Sequence, residues 1–190
     1  MITIESRQEI PTRSRPPAFG SATGISQALL AVPTEDRLPA QTPPEGALEI
    51  RPIRDRGELD EVYAMTHDAY VDMGFIQPRS DGRLEHYPHL DGSPRTTILV
   101  ALLGSRVVGT NSLTLDGEAG LHVDEDFKVE VDGIRSEGRR LAASYRINTR
   151  KEYRQRSDIV RGLIRETVRL ALEAGVRTCL FIFHKRHERI

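Results

Sequence analysis

Arg150, Lys151, Arg154 and Arg156 stand just ahead of a run in which Ile159, Val160, Leu163, Ile164, Val168, Ala171 and Leu172 recur at helical spacing. A helix N-terminus presents unpaired N–H groups and the positive end of its dipole, so it attracts phosphate. The four cations strengthen that attraction. The plain alternative is a solvated basic loop in an ordinary strand–loop–helix crossover. A strand-like stretch, RRLAASYRI (Arg139–Ile147), feeds the loop from upstream.

Composition narrows the field. A chain of 190 residues suits one domain plus a tail. A net charge of −1 and a pI near 6.6 argue against bulk affinity for nucleic acid or anionic membranes. The lone Cys179 lies in the apolar run TCLFIF, as a buried thiol in a reducing compartment would. No apolar stretch reaches the roughly 18 residues of a transmembrane helix, and the start of the chain lacks a signal peptide's apolar centre. A cytoplasmic protein is expected.

Residues 1–47 hold seven of the eleven prolines and no sustained apolar period, which predicts a disordered Pro-rich tail. SQALLAV (Ser26–Val32) is its one apolar patch, read as a transient helix in preference to a weak docking motif. The domain is expected over 48–190. LEIRPI (Leu48–Ile53) alternates as a strand, and Leu59, Val62, Tyr63, Thr66, Ala69, Tyr70 and Met73 form a helical stripe closed by Gly74. Residues 77–94 read as a long loop with a possible helical turn. TTILVALL (Thr96–Leu103) and RVVGTNSLTL (Arg106–Leu115) flank Gly104-Ser105 as an antiparallel hairpin, its first strand apolar enough to be covered on both faces. A short helix near Asp124–Ile134, the strand Arg139–Ile147, the helix ended at Gly175 and the strand Val176–Phe183 follow. HKRHERI begins a further helix. The fold class is α/β (α+β) with a mixed sheet.

This order resembles the GNAT acyltransferase superfamily, and most closely its N-acyl amino acid synthase and acyl-homoserine-lactone (autoinducer) synthase branch. The resemblance is carried by HDAYVDMGFI (His67–Ile76), YPHLDGSPRTTILVA (Tyr87–Ala101), VVGTNSLTLD (Val107–Asp116), GLHVDEDF (Gly120–Phe127) and EGRRLAASYRI (Glu137–Ile147), within residues 48–190. Glu137, Arg140 and Leu141 match a Glu-x-x-Arg-aliphatic strand opening of the autoinducer synthases. It implies a mostly antiparallel sheet flanked by helices, here apparently truncated after the fifth strand of the domain. One departure matters. GNAT acetyltransferases cradle coenzyme A pyrophosphate with a glycine-containing loop, whereas this chain reads Arg154-Gln155-Arg156-Ser157-Asp158-Ile159. Asp158 would sit beside a phosphate or cap the helix. Such a surface suits the single phosphate of acyl-phosphopantetheine on an acyl carrier protein better than acyl-CoA.

The resemblance implies acyl transfer from that thioester to a small-molecule amine, with no bound cofactor and no nucleophilic residue. Such transfer needs a neutral amine, a stabilised oxyanion and aligned reactants. In the superfamily a backbone N–H of the fourth strand polarises the thioester carbonyl, which points here to Ala142–Ser144, with Arg150, Lys151, Arg154 and Arg156 on the donor's phosphate. Glu137 is the expected amine-side group, by hydrogen bond or through water, unless it only pairs with Arg139 or Arg140. Arg140 and Arg146 compete for an acceptor carboxylate. Tyr70, Phe75 and Tyr87 line an acyl channel or simply pack the core.

His67-Asp68 is read as structural, because adjacent helical residues do not face each other. The pairs His86/His89 and His184/His187 lack further ligands, so no metal is expected. An unpaired edge at Leu180–Phe183 predicts self-association. Two other readings are an acyl-CoA-dependent acetyltransferase and a truncated, non-catalytic module that binds a carrier or other partner.

Overall fold

The computed structural model describes residues 2–6, 25–27 and 46–184. Seven strands form one sheet: β1 (Ile2–Ser6), β2 (Ile25–Gln27), β3 (Leu48–Pro52), β4 (Thr96–Leu103), β5 (Arg106–Leu115), β6 (Leu141–Thr149) and β7 (Thr178–His184). Their spatial order is β2-β1-β7-β6-β5-β4-β3. Pairing is antiparallel throughout except for β6 with β7 and β7 with β1. The sheet is therefore mixed and mostly antiparallel, as the element order required.

Among the described residues four α-helices cover it: α1 (Arg56–Asp72), α2 (Pro88–Asp91), α3 (Asp124–Ser136) and α4 (Ser157–Glu173). The apolar strand β4 is covered on both faces. Ile98, Val100 and Leu102 pack against Val62, Tyr63 and Met65 of α1, whereas Leu99 and Ala101 pack against Ile159 and Leu163 of α4. Each fully buried aliphatic side chain contributes ~1.5–3 kcal/mol. Helix α3 places Phe127, Val131 and Ile134 on Leu141, Ala143 and Leu180. Helix α4 lies close to the sheet at Gly109, where a β-carbon would sit 2.8 Å from the Ile159 side chain.

Local chemistry starts α1. The Asp55 side chain accepts from the Glu58 N–H at 3.0 Å, and Glu58 accepts from the Arg54 N–H at 2.7 Å. Arg51 of β3 clamps the same Glu58 at 2.6 and 2.9 Å. The Arg51 hydrogen bond outweighs burial and holds the Glu58 carboxyl at about 2. A carboxyl depressed from its ordinary 4.5 stabilises the fold above that pH and loses the contribution as pH falls towards 2. The stability gap between wild type and Glu58→Gln should thus be full at pH 7 and close across that window in denaturant titrations.

Two expectations are corrected by β1 and β2. The segment expected to be structureless supplies both strands, and Ile2–Ser6 pairs with Leu180–His184, so this edge of β7 is not bare. Ile2-Thr3-Ile4 is a β-branched run whose strand propensity the proline-rich average concealed. Ser26 and Gln27 lie in β2 rather than in a transient helix. Residues 28–45, which include the rest of that patch, and residues 185–190, which include the expected terminal helix, lie outside the described residues.

Candidate active site

Strands β6 and β7 run side by side only from Leu141↔Thr178 to Ser144↔Phe181. Beyond that point β6 continues to Thr149 and β7 to His184 without pairing. The last five residues of β6 therefore have β5 on one side and no strand on the other. A break in register with β5 falls in the same place: Ser112 faces Tyr145, yet Thr110 faces Asn148. The extra residue is a β-bulge, and Arg146 within it has a left-handed φ of 64°, the only positive φ among the described non-glycine residues.

The bulge changes which side chains face which layer. Before it, Ala142 packs with Ala171 of α4, and Leu141 and Ala143 pack under α3. Strict alternation would send Arg146 towards α4. Instead Tyr145 and Arg146 both reach Asp91 of α2. The Tyr145 hydroxyl donates to Oδ1 at 2.8 Å, and Arg146 Nη2 donates to Oδ1 and Oδ2 at 2.7 and 2.5 Å. This pair is sealed, with side chains 0% (Arg146) and 3% (Asp91) exposed. Arg146 Nε and Nη1 have no hydrogen-bond partner among the described residues. Its guanidinium lies 5.2 Å from the Tyr145 ring and 5.5 Å from the Tyr63 ring.

Aromatic and imidazole rings surround the pair. Tyr70 meets Phe75 at 5.6 Å and His86 at 5.1 Å between centroids; His86 meets Tyr87 at 4.3 Å; Tyr87 meets Tyr145 and His122 at 5.2 Å each. Burial pushes the Tyr70 hydroxyl up to about 12, and burial with the Asp91 charge does the same to Tyr63. Burial lowers His86 and His122 to about 3, so both imidazoles are neutral at pH 7. Tyr87, His122 and Tyr145 are buried beside the ion pair, whereas Tyr70, Phe75 and His86 are half-buried.

At the far end of β6 a cleft of about 260 Å³ is lined by Met65, Asp68, Ala69 and Asp72 of α1 and by Thr149, Arg150, Lys151 and Arg154. Lys151 and Arg154 face Asp72 at 3.5 and 3.3 Å, and Arg150 faces Glu61 at 3.1 Å. Arg156 pairs with Asp158 at 2.6 Å, so Asp158 binds a cation and supplies no side-chain cap for α4.

The structure thus gathers Tyr70, Phe75, Tyr87 and Arg146 at the bulge, and Arg150, Lys151 and Arg154 at the cleft. It does not bring Glu137 and Arg140 there. Glu137 ends α3, is 54% exposed and pairs with Arg139 at 2.8 Å. Arg140 lies on the surface near the Ala174 carbonyl, and at ~3.3 Å per residue it stands roughly 20 Å along the strand from Arg146. Ala142 is locked between β5 and β7, and Ser144, the last residue paired with β7, donates to Asn111 at 3.0 Å. Asp91, Tyr145 and His122 were missed by sequence reasoning. No sequence signal points to them, because Asp91 and His122 lie on segments 54 and 23 residues before Tyr145 and meet it only in the fold. His67 Nε2 accepts from the Arg79 N–H at 3.0 Å and ties the loop to α1, and its Nδ1 lies 3.1 Å from Asp68 Oδ1, so the two adjacent side chains do meet, contrary to expectation. Among the described residues no group of three or more His, Cys, Asp or Glu is arranged to hold a metal, and no helix is long and apolar enough to cross a membrane.

Comparison with known proteins identifies the family and the fold. The family model of the N-acyl amino acid synthase FeeM matches residues 61–190. The structure of FeeM, from uncultured soil microbes, superposes with a TM-score of 0.61 at 22% identity, covering 70% of each chain. An aminoglycoside acetyltransferase, meta-AAC0020 from a soil metagenomic sample, gives 0.51 at 19% identity over 74% of this chain and 80% of that one. A Clostridium acetobutylicum predicted acetyltransferase solved with acetyl-CoA gives 0.52 at 10% identity over 75% and 84%. No curated protein matches the chain in sequence. A family match over most of the domain, on a GNAT fold whose β6 and β7 part at a bulge, means that this chain belongs to the FeeM N-acyl amino acid synthase family and is an acyltransferase.

Proposed function

We propose that this enzyme transfers a long-chain acyl group from the phosphopantetheine thioester of an acyl carrier protein to the amine of an amino acid. The observation that carries the reading is the coincidence, at one point of β6, of the parted strands, the left-handed bulge and the buried Arg146 with two unused donors. The pantetheine arm enters where β7 leaves β6. A β6 backbone N–H past Ser144 then points at the thioester oxygen, where negative charge develops. This moves the polarising group from Ala142–Ser144 to Tyr145–Ile147, the first residues with no β7 neighbour.

Arg146, rather than Arg140, receives the acceptor carboxylate in this reading. It is buried, and Asp91 occupies only one of its nitrogens. Aromatic walls from Tyr70, Phe75 and Tyr87 suit an apolar acyl chain. The carrier-protein donor is favoured by the absence of glycine from the loop Arg154–Ile159 and by Arg150, Lys151 and Arg154 at the cleft, which Asp68, Asp72 and Glu152 also line. Acyl-CoA is the second reading, favoured by the fold shared with acetyltransferases.

The deciding experiment offers the purified protein palmitoyl-carrier protein or palmitoyl-CoA together with all twenty amino acids, and reads products by mass spectrometry. N-acyl amino acids formed at least ~10-fold faster from the carrier thioester, a difference of about 1.4 kcal/mol, are expected. Product from acyl-CoA alone would transfer the reading to the second donor. No product from either would overturn both.

A further inference from the structure

His122 has no part in the scheme above. It stands in the turn before α3, only 4% exposed, with the Tyr87 and Tyr145 rings 5.2 and 4.9 Å from its own. Its Nδ1 is buried and has no hydrogen-bond partner among the described residues. Buried polar nitrogens are rarely left so, because the lost hydrogen bond costs ~1–3 kcal/mol. Arg146, with its two unused donors, also stands at Tyr145, its guanidinium 5.2 Å from that ring. An imidazole without a partner at Nδ1 and a guanidinium with two donors left over from its Asp91 pair thus both lie near one tyrosine ring, at 4.9 and 5.2 Å, beside the parted strands.

We propose that His122 is the base that takes the ammonium proton of the acceptor during acyl transfer. The inference rests on the amino-acid reading given above. Charge balance supports it. Asp91 and Arg146 cancel, and an amino acid enters as a neutral zwitterion. Losing its ammonium proton to bulk water would leave a net negative charge in a buried site, which is costly. Passing the proton to His122 keeps the site neutral. Burial makes the free imidazole neutral, against the opposing charge of Asp124, and in the Nε2–H tautomer its Nδ1 lone pair is available. The bound carboxylate and the developing oxyanion then favour the imidazolium. The groups facing His122 are Tyr87 before α2, Tyr145 on β6, Asp124 of α3 and the neutral His86.

The step balances. The ammonium gives one proton to Nδ1, and the freed lone pair forms the C–N bond to the thioester carbon as the carbonyl π pair moves onto oxygen. Collapse breaks the C–S bond, and the second nitrogen proton ends on the departing sulfur. Amide and free thiol leave, and His122 returns its proton to solvent.

His122→Phe keeps a ring between Tyr87 and Tyr145 but removes the nitrogens; His122→Gln guards against a packing fault in that variant. With the full chain and an acyl donor at pH 7, kcat for the amino acid should fall about 10²–10⁴-fold, with KM for the acceptor little changed. An aminooxy acid, whose nitrogen is already neutral at that pH, should be acylated by variant and wild type at similar rates. Wild-type kcat in either folded variant, or equal losses with both acceptors, would overturn the proposal. A wild type that acylates neither acceptor would instead overturn the functional reading beneath it.

Discussion

Asp91→Ala should destabilise the fold by about 3–5 kcal/mol and abolish acyl transfer, because it leaves the Arg146 charge buried without its counterion. Arg146 is fully enclosed, and Asp91 is its one carboxylate partner, at 2.5 and 2.7 Å. The aromatic faces of Tyr63 and Tyr145 are too weak to replace it, at ~2 kcal/mol even when desolvated. The left-handed backbone at Arg146 costs a further ~1–3 kcal/mol that the pair helps to offset. The double replacement Asp91→Leu/Arg146→Met removes both charges and should recover most of the stability, since buried ion pairs exchange for apolar residues at little net cost. It should not recover activity, because the carboxylate site has gone. Urea unfolding and product analysis on the three proteins separate the two effects. Full activity in a stable double variant would remove Arg146 from the chemistry.

Charge reversal at the cleft is expected to have the next largest effect. Lys151→Glu/Arg154→Glu removes two cations that line it and sets two carboxylates beside Asp72. A charged hydrogen bond is worth ~1.5–3 kcal/mol, so KM for the acyl carrier should rise ~10–150-fold while kcat at saturation changes little. Arg150 is left in place because its Nε also donates to the Val107 carbonyl at 2.6 Å, which ties the loop to β5. The wild-type KM should itself climb with salt, as steering between charged surfaces is screened. A donor KM indifferent to both the substitution and ionic strength would place the phosphate elsewhere.

Much of the scaffold could be read from spacing alone. The hairpin Thr96–Leu103/Arg106–Leu115 matches its predicted bounds, and α1 and α4 follow their apolar stripes because tertiary packing uses those same faces. What escaped the reading was the consequence of one inserted residue. Period-two alternation assigns Arg146 to the α4 face, so its partnership with Asp91 of α2, 55 residues earlier, was invisible. The insertion falls where β6 and β7 part, which is why the site is proposed at the Thr149 end of the strand rather than near Glu137. Glu137 and Arg140 attracted attention by a local motif, yet a strand end offers no burial, and Glu137 pairs with Arg139 on the surface. The cations of the loop were legible as types; that most of them face carboxylates of α1 was not, because those contacts span up to 89 residues of sequence.

The central claim is that the bulge of β6, not the strand's opening at Glu137, meets the reacting carbonyl. A crystal structure with a non-cleavable, amide-linked acyl-pantetheine tests it most directly. The account expects the arm between β6 and β7, with the acyl carbonyl oxygen ~2.7–3.1 Å from a backbone N–H within Tyr145–Ile147 and the phosphate in the Lys151/Arg154 cleft. A carbonyl bound beside Glu137 and Arg140 would contradict it.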